Sequence, residues 1–207
     1  MAVALGADAI GFVFATSTRQ VTVGTVRDIV RRLPPEIVTI GVFRDHSPTY
    51  VIDTVLEAGL RGAQLHGHES PAVAAEIRPK VQTLIVALPA GSPAVDRYDE
   101  YGADALLLDA TTPGSGHTFD WSLIDAVPDN RRLILAGGLT PQNVGDAVAR
   151  VEPWGVDVSS GVEAGPGRKD PRLVQAFIRA ARSSERPGYV HQGPGSEPFD
   201  WMETEDL

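Results

Sequence analysis

The sequence predicts an α/β fold, a TIM (β/α)8-type barrel with about seven of its strands present, and three observations carry that expectation. Short apolar, β-branched runs recur along the 207 residues, and segments of helical period lie between them. The turn after the first run also lacks the glycine pattern of a dinucleotide-binding sheet.

The runs are DAIGFVF (8–14), VTIGVFR (38–44), GAQLHG (62–67), VQTLIVAL (81–88), DALLLDA (104–110), RLILAGG (132–138) and VDVSSG (156–161). Most are continuously apolar, as strands are when both faces of a parallel sheet are covered. Between them Val26, Ile29, Val30 and Leu33 repeat at helical spacing, as do Val144, Ala147, Val148 and Val151, and Val174, Phe177, Ile178 and Ala181. Ser47-Pro48, Ser70-Pro71, Thr140-Pro141 and Asp170-Pro171 each pair a capping side chain with proline at the first helical position. A strand, loop and helix unit is thus expected seven times.

Such alternation fits an open doubly wound sheet or a closed barrel. A dinucleotide-binding sheet would place G-x-G-x-x-G after its first strand; here ATSTRQ (15–20) follows, which favours the barrel. The opening MAVALGADA reads as the last turn of an apolar helix closed by Gly6. The expectation is therefore a barrel domain over residues 1–183, N-terminally truncated and lacking strand 1 and most of helix 1, with upstream sequence encoding both. Residues 184–207 form an acidic Gly/Pro-rich segment without periodicity, read as a disordered tail in which Phe199, Trp201 and Met202 are the only docking candidates.

Composition narrows the function classes. The net charge of -9 includes -5 within 184–207, and no clustered Lys/Arg face exists to neutralise nucleic-acid phosphates. No apolar run approaches bilayer length, so no membrane role is expected. The chain has no cysteine, hence neither a disulfide frame nor a thiolate metal site, and no signal segment, so a cytoplasmic location is expected.

In a (β/α) barrel the reactive face lies where strands end, and a phosphate commonly sits on the loops after the last two. Those loops are AGGL (136–139) and SSGVE (159–163), whose small residues allow main-chain N–H groups to approach an anion closely. Tight turning alone also explains either glycine loop; the two at consecutive strand ends favour a ligand. Asp109 ends LLLD, where a carboxylate after three buried leucines is either at work in acid–base chemistry or capping the next turn. Arg19 can clamp a planar carboxylate, although a solvated loop arginine reads the same way. His66, at a strand end, and Asp157, inside the last strand, rank below Asp109. No His/Asp/Glu cluster has metal-ligand spacing.

Taken together, GADAIGFVF with STRQV, GVF, QLHGHES, LLLDA followed by GSGHTFDW, LAGGLTPQNV and GVDVSSGVEAGPGRKD resemble the phosphoribosylanthranilate isomerase family, in order, over nearly all of residues 4–182. The resemblance implies an Amadori rearrangement in tryptophan biosynthesis, a small phosphorylated substrate and no cofactor. It implies that Asp109 is the general acid and that Arg19 holds the anthranilate carboxylate. It further implies that Gly137, Gly138, Ser159, Ser160 and Gly161 hold the 5-phosphate and that Asp157 lies near the substrate amine. The sequence departs from the family in lacking the opening K-I-C-G strand, whose cysteine is the expected general base, and in carrying His117 where lysine is usual.

Two other readings fit the residues. A truncated, inactive barrel that binds a phosphorylated ligand or acts as an interaction piece would show affinity without turnover. Another phosphosugar isomerase or epimerase is the second; a substrate with two phosphates would want a second glycine-rich loop, where QLHGHES offers only Gly67.

Overall fold

The computed structural model describes residues 1–109 and 132–184. The motif GSGHTFDW with His117, and the tail 185–207, lie outside the described residues. Seven strands form one sheet in which spatial order follows chain order: β1 (Ala9–Val13), β2 (Val38–Phe43), β3 (Gly62–Leu65), β4 (Thr83–Pro89), β5 (Ala105–Asp109), β6 (Leu133–Ala136) and β7 (Gly155–Val156). Every neighbouring pair is parallel. A doubly wound sheet reverses its order at a switch point. This one never reverses, and it curls as a half-barrel with β1 and β7 at its edges, the barrel-type architecture the sequence predicts.

Strand parity decides what faces inward. In β4, Leu84, Val86 and Leu88 pack outward against the helices, and in β5 so do Leu106 and Leu108. The alternating Ile85, Ala87, Ala105 and Leu107 form a separate inner cluster with Ile40 and Ala136. Both faces are therefore apolar, which is why the runs lack alternation. The same parity puts Asp109 in line with Ala105 and Leu107, and Gln64 opposite to the outward Ala63 and Leu65. Leu106, Leu107 and Leu108 are each at most 1 % exposed, so truncating one to alanine costs about 2–5 kcal/mol.

The helices are α1 (Val23–Val30), α2 (Pro48–Ala58), α3 (Pro71–Ile77), α4 (Val144–Val151) and α5 (Pro171–Ser183). Three of the four expected Pro-led starts hold: Ser47 accepts from the Tyr50 N–H, Ser70 from Val73, and Asp170 from Arg172 and Leu173. The fourth differs. The Thr140 N–H donates to Asn143 Oδ1 (2.7 Å) and Thr140 Oγ1 accepts from the Gln142 N–H (3.3 Å), making a closed turn, so α4 begins only at Val144. Gly6 closes a single 3-10 turn, Val3–Leu5, with φ 98°, as the stop signal predicts.

Two further expectations are corrected. No α-helix joins β4 to β5: residues 90–97 include Gly91, Ser92 and Pro93, and a 3-10 turn at Tyr98–Tyr101 covers the sheet with two buried tyrosines instead. The strand expected over 156–161 is only Gly155–Val156. It lies at the sheet edge, its last ladder-type bond is from the Asp157 N–H to the Leu135 carbonyl (2.9 Å), and the chain then turns into a 3-10 turn at Ser160–Val162. Beyond it an unanticipated antiparallel hairpin pairs β8 (Glu163–Gly165) with β9 (Arg168–Lys169) around Gly167, whose φ is 74°. Among the described residues no helix is long and apolar enough to cross a membrane.

Candidate active site

The C-terminal ends of β3, β5, β6 and β7 converge on one cavity of about 190 Å³. Its walls include His66, Asp109, Gly137, Gly138, Asp157 and the Ser159–Gly161 turn. That volume falls below the roughly 300–1,000 Å³ of pockets that enclose a whole ligand. It has room for one end of a small molecule rather than the whole of it.

Both small-residue loops reach this cavity. After β6, Gly137 and Gly138 have φ 86° and 64°, and the Asn143 side-chain amide pins the turn by donating to the Gly138 carbonyl (3.0 Å). A Cβ on Gly161 would run into the Leu139 carbonyl oxygen, so the two loops touch only because glycine stands there. The bare strand ends thus serve close loop-to-loop packing as well as access to the cavity.

Asp109 and His66 meet across the cavity floor, with Asp109 Oδ2 3.1 Å from His66 Nε2. Gln64 Nε2 lies 2.9 Å from the other ring nitrogen, Nδ1. With Gln64 donating there, the ring proton resides on Nε2 and is donated to the Asp109 carboxylate. Asp157 is exposed to the cavity yet closely surrounded by protein. That enclosure pushes its carboxyl above the usual range, His66 and Lys169 pull it down, and Asp109 adds to the rise.

Arg19 is not in the cavity wall. It sits in the β1–α1 loop, which is closed by bonds from Gln20 Nε2 to the Phe14 carbonyl (2.9 Å) and from the Val21 N–H to the Val13 carbonyl (2.9 Å). Its Nε and Nη2 each donate at 2.7 Å to the two oxygens of Glu163, which also accepts from Lys169 Nζ at 2.9 Å. Lys169 Nζ in turn donates to the Ser159 carbonyl (2.8 Å), tying this ion cluster to the cavity wall. The Arg19 guanidinium, then Lys169, hold the Glu163 carboxyl well down, to about 2.

The structure therefore brings together Asp109, His66, Asp157, Gly137, Gly138, Ser159, Ser160 and Gly161, and leaves Arg19 at one remove. Sequence reasoning missed Gln64, Glu163 and Lys169. Gln64 stands two residues before His66 in a strand, hence on its face, and is polar in an apolar run. Glu163 and Lys169 flank Gly165-Pro166-Gly167, a turn signal that brings an acid beside a lysine. Among the described residues no group of three or more His, Cys, Asp or Glu is placed to hold a metal.

Known proteins resemble this chain in sequence and in fold. A family model described as N-(5'-phosphoribosyl)anthranilate (PRA) isomerase matches residues 1–180. The N-(5'-phosphoribosyl)anthranilate isomerase of Desulforudis audaxviator is 47 % identical over 190 residues, covering 88 % of this chain and 91 % of the relative. The crystal structure of phosphoribosyl anthranilate isomerase from Thermus thermophilus superposes with a TM-score of 0.80 at 38 % identity, covering 89 % of this chain and 92 % of that one. A phosphoribosyl anthranilate isomerase in complex with reduced 1-(o-carboxyphenylamino)-1-deoxyribulose 5-phosphate gives 0.76 at 37 % identity, with 88 % and 91 % covered. A family match across most of the chain, together with a relative this similar, shows that the chain belongs to the N-(5'-phosphoribosyl)anthranilate isomerase family.

Proposed function

We propose that this chain isomerises N-(5'-phosphoribosyl)anthranilate to 1-(2-carboxyphenylamino)-1-deoxyribulose 5-phosphate, a step of tryptophan biosynthesis, in the cavity at the ends of β3, β5, β6 and β7. The observation that carries the reading is the meeting of the Asp109 carboxyl with both small-residue loops around one cavity. The reading includes a cytoplasmic setting and a small phosphorylated substrate.

In this reading the main-chain N–H groups of Gly137, Gly138, Ser159, Ser160 and Gly161, with the serine hydroxyls, bind the 5-phosphate. Asp109, protonated, gives its proton to the ribose ring oxygen; the C1–O bond breaks as the anilino nitrogen lone pair forms the C1=N bond. Loss of the C2 proton to a base sends the C–H electrons into a C1=C2 bond and returns the pair to nitrogen. Ketonisation at C2 with protonation at C1 completes the product, and the imine is the electron sink. Asp157 lies near the substrate amine, and Arg19 binds the ring carboxylate at the cavity mouth. His66 hydrogen-bonds Asp109 and so orients the acid.

The test is Asp109→Asn, assayed by the loss of substrate fluorescence and by binding of the reduced product analogue. Turnover should fall by roughly 10²–10⁴-fold, the contribution of a positioned proton donor, with analogue affinity largely kept. Undiminished turnover would remove Asp109 from the mechanism.

A further inference from the structure

Arg19 has five N–H donors in one plane, and Glu163 uses only two of them. The pair is side-on: Nε to Oε1 and Nη2 to Oε2, both 2.7 Å, the short parallel bonds of a charge-assisted fork. One Nη1 proton and the second Nη2 proton, which form the end-on face, have no partner among the described residues, and the Arg19 side chain is 32 % exposed. Glu163 is 5 % exposed and holds a second cation, Lys169, at 2.9 Å. One buried carboxylate thus sits between two cations, and the cluster carries a net positive charge next to the cavity wall at Ser159.

We propose that Glu163 is a positioning residue for recognition of the ligand's aromatic carboxylate: it takes the side-on face of Arg19 so that the end-on face is presented, already oriented, to a second carboxylate. The inference rests on the reading of Arg19 given above and adds to it. A guanidinium can hold two carboxylates in its plane, one on each face, and the Glu163 pair fixes that plane before the ligand arrives. The charge balance agrees: Glu163 cancels one of its two cations, and a ligand carboxylate cancels the other. Without Glu163, Arg19 and Lys169 lose their common anchor, and the guanidinium swings through many rotamers instead of standing in one. The three partners come from the β1–α1 loop, β8 and β9, so the anchor also joins the carboxylate-binding end of the site to the Ser159 loop.

The experiment compares two ligands on each protein: the reduced product analogue, and the same compound without its ring carboxylate, titrated calorimetrically against wild type and Glu163→Gln. Wild type is expected to prefer the carboxylated compound by roughly 10–100-fold, as a bidentate charged hydrogen bond allows. In Glu163→Gln that preference should fall by about tenfold, while affinity for the carboxylate-free compound changes by less than about twofold. Because the preference is a ratio taken on one protein, any unfolded fraction cancels from it. Glu163→Asp, with the charge kept and the reach shortened, should show an intermediate preference. An unchanged preference in either variant overturns the role of Glu163 while leaving Arg19 as the carboxylate ligand. Equal weakening of both compounds overturns it too, since that is the mark of a purely structural ion pair. No preference in wild type removes Arg19 from carboxylate binding and the proposal with it.

Discussion

His66 Nε2 lies 3.1 Å from Asp109 Oδ2, and the opposite nitrogen of the same ring lies 2.9 Å from Gln64 Nε2. The ring is thereby fixed in orientation, and its tautomer follows from which end of the Gln64 amide faces Nδ1. If Gln64 Nε2 donates, Nε2 of His66 carries the proton and Asp109 accepts. If the amide turns and its oxygen faces the ring, Nδ1 carries the proton and His66 Nε2 accepts from a protonated Asp109. Gln64 can serve either arrangement, so in the proposed mechanism Asp109 stays hydrogen-bonded to His66 before and after it gives up its proton. Replacing His66 by alanine should therefore lower kcat by roughly tenfold or more, within the 10²–10⁴ of the transfer itself, with KM little changed. Gln64→Leu should leave the fold intact and alter the ring nitrogen shifts of His66 in a ¹⁵N spectrum. Unaltered shifts would show that Gln64 does not set the tautomer.

Glu163 makes a specific prediction for acid stability. Its carboxyl, near 4.5 in an unperturbed state, is held down to about 2 by Arg19 first and Lys169 second. A depressed carboxyl contributes stability that is complete above its unfolded value and is lost as pH falls through the folded one. Wild type should thus lose thermal stability between about pH 4.5 and 2 more steeply than Glu163→Gln, and should be the more stable protein at pH 7. Parallel melting-temperature curves over that range would show that the ion cluster adds nothing to folding.

Asp157 works in the opposite direction. Enclosure raises its carboxyl, with Asp109 adding to the rise, against the pull of His66 and Lys169. A raised carboxyl is a liability above its folded value, because the native state must hold a charge it disfavours. Asp157→Asn should therefore melt higher than wild type at pH 8, by roughly 2–4 °C per kcal/mol relieved. The advantage should vanish below about pH 4, where the unfolded carboxyl is also protonated. The same variant should lose kcat/KM if Asp157 meets the substrate amine, a stability gain set against activity. A lower melting temperature at pH 8 would mean that the favourable contacts of the Asp157 carboxylate outweigh the enclosure.

Much of this arrangement is legible before folding, for physical reasons that differ by residue. Asp109 is identifiable because three leucines precede it and a strand that ends in a carboxylate can point that group only outward or into the interior; parity with Ala105 and Leu107 gives the interior. Gly137, Gly138 and Gly161 are identifiable because two bare loops occur at consecutive strand ends. The partnership of Arg19 with Glu163 is not, since it joins residues 144 apart in sequence and depends on the curl of the whole sheet. The β4–β5 connection is likewise hidden: Tyr98 and Tyr101 lie three apart, as they would on a helix, while Gly91, Ser92 and Pro93 favour turns. The edge position of β7 shortens a strand that VDVSSG would fill if it were paired on both sides.

Two glycines of the cavity-lining loops should respond to alanine in different ways, and the difference separates backbone conformation from loop packing. Gly138 has φ 64°, with open space where a Cβ would stand, so Gly138→Ala meets only the left-handed penalty of roughly 1–2 kcal/mol. Gly161 has no such conformational demand, but its added methyl would meet the Leu139 carbonyl oxygen and approach Thr140 Cα at 3.3 Å, both main-chain atoms that cannot rotate away. Gly161→Ala must push the β7 loop off the β6 loop, at a cost of about 1–3 kcal/mol for overpacking. Because the two loops together line the cavity, that displacement should also weaken phosphate-ligand binding by roughly tenfold or more, whereas Gly138→Ala destabilises with a smaller effect on affinity. Melting temperature and analogue affinity measured on both variants decide it: equal affinities would show that contact between the loops is not what shapes the cavity.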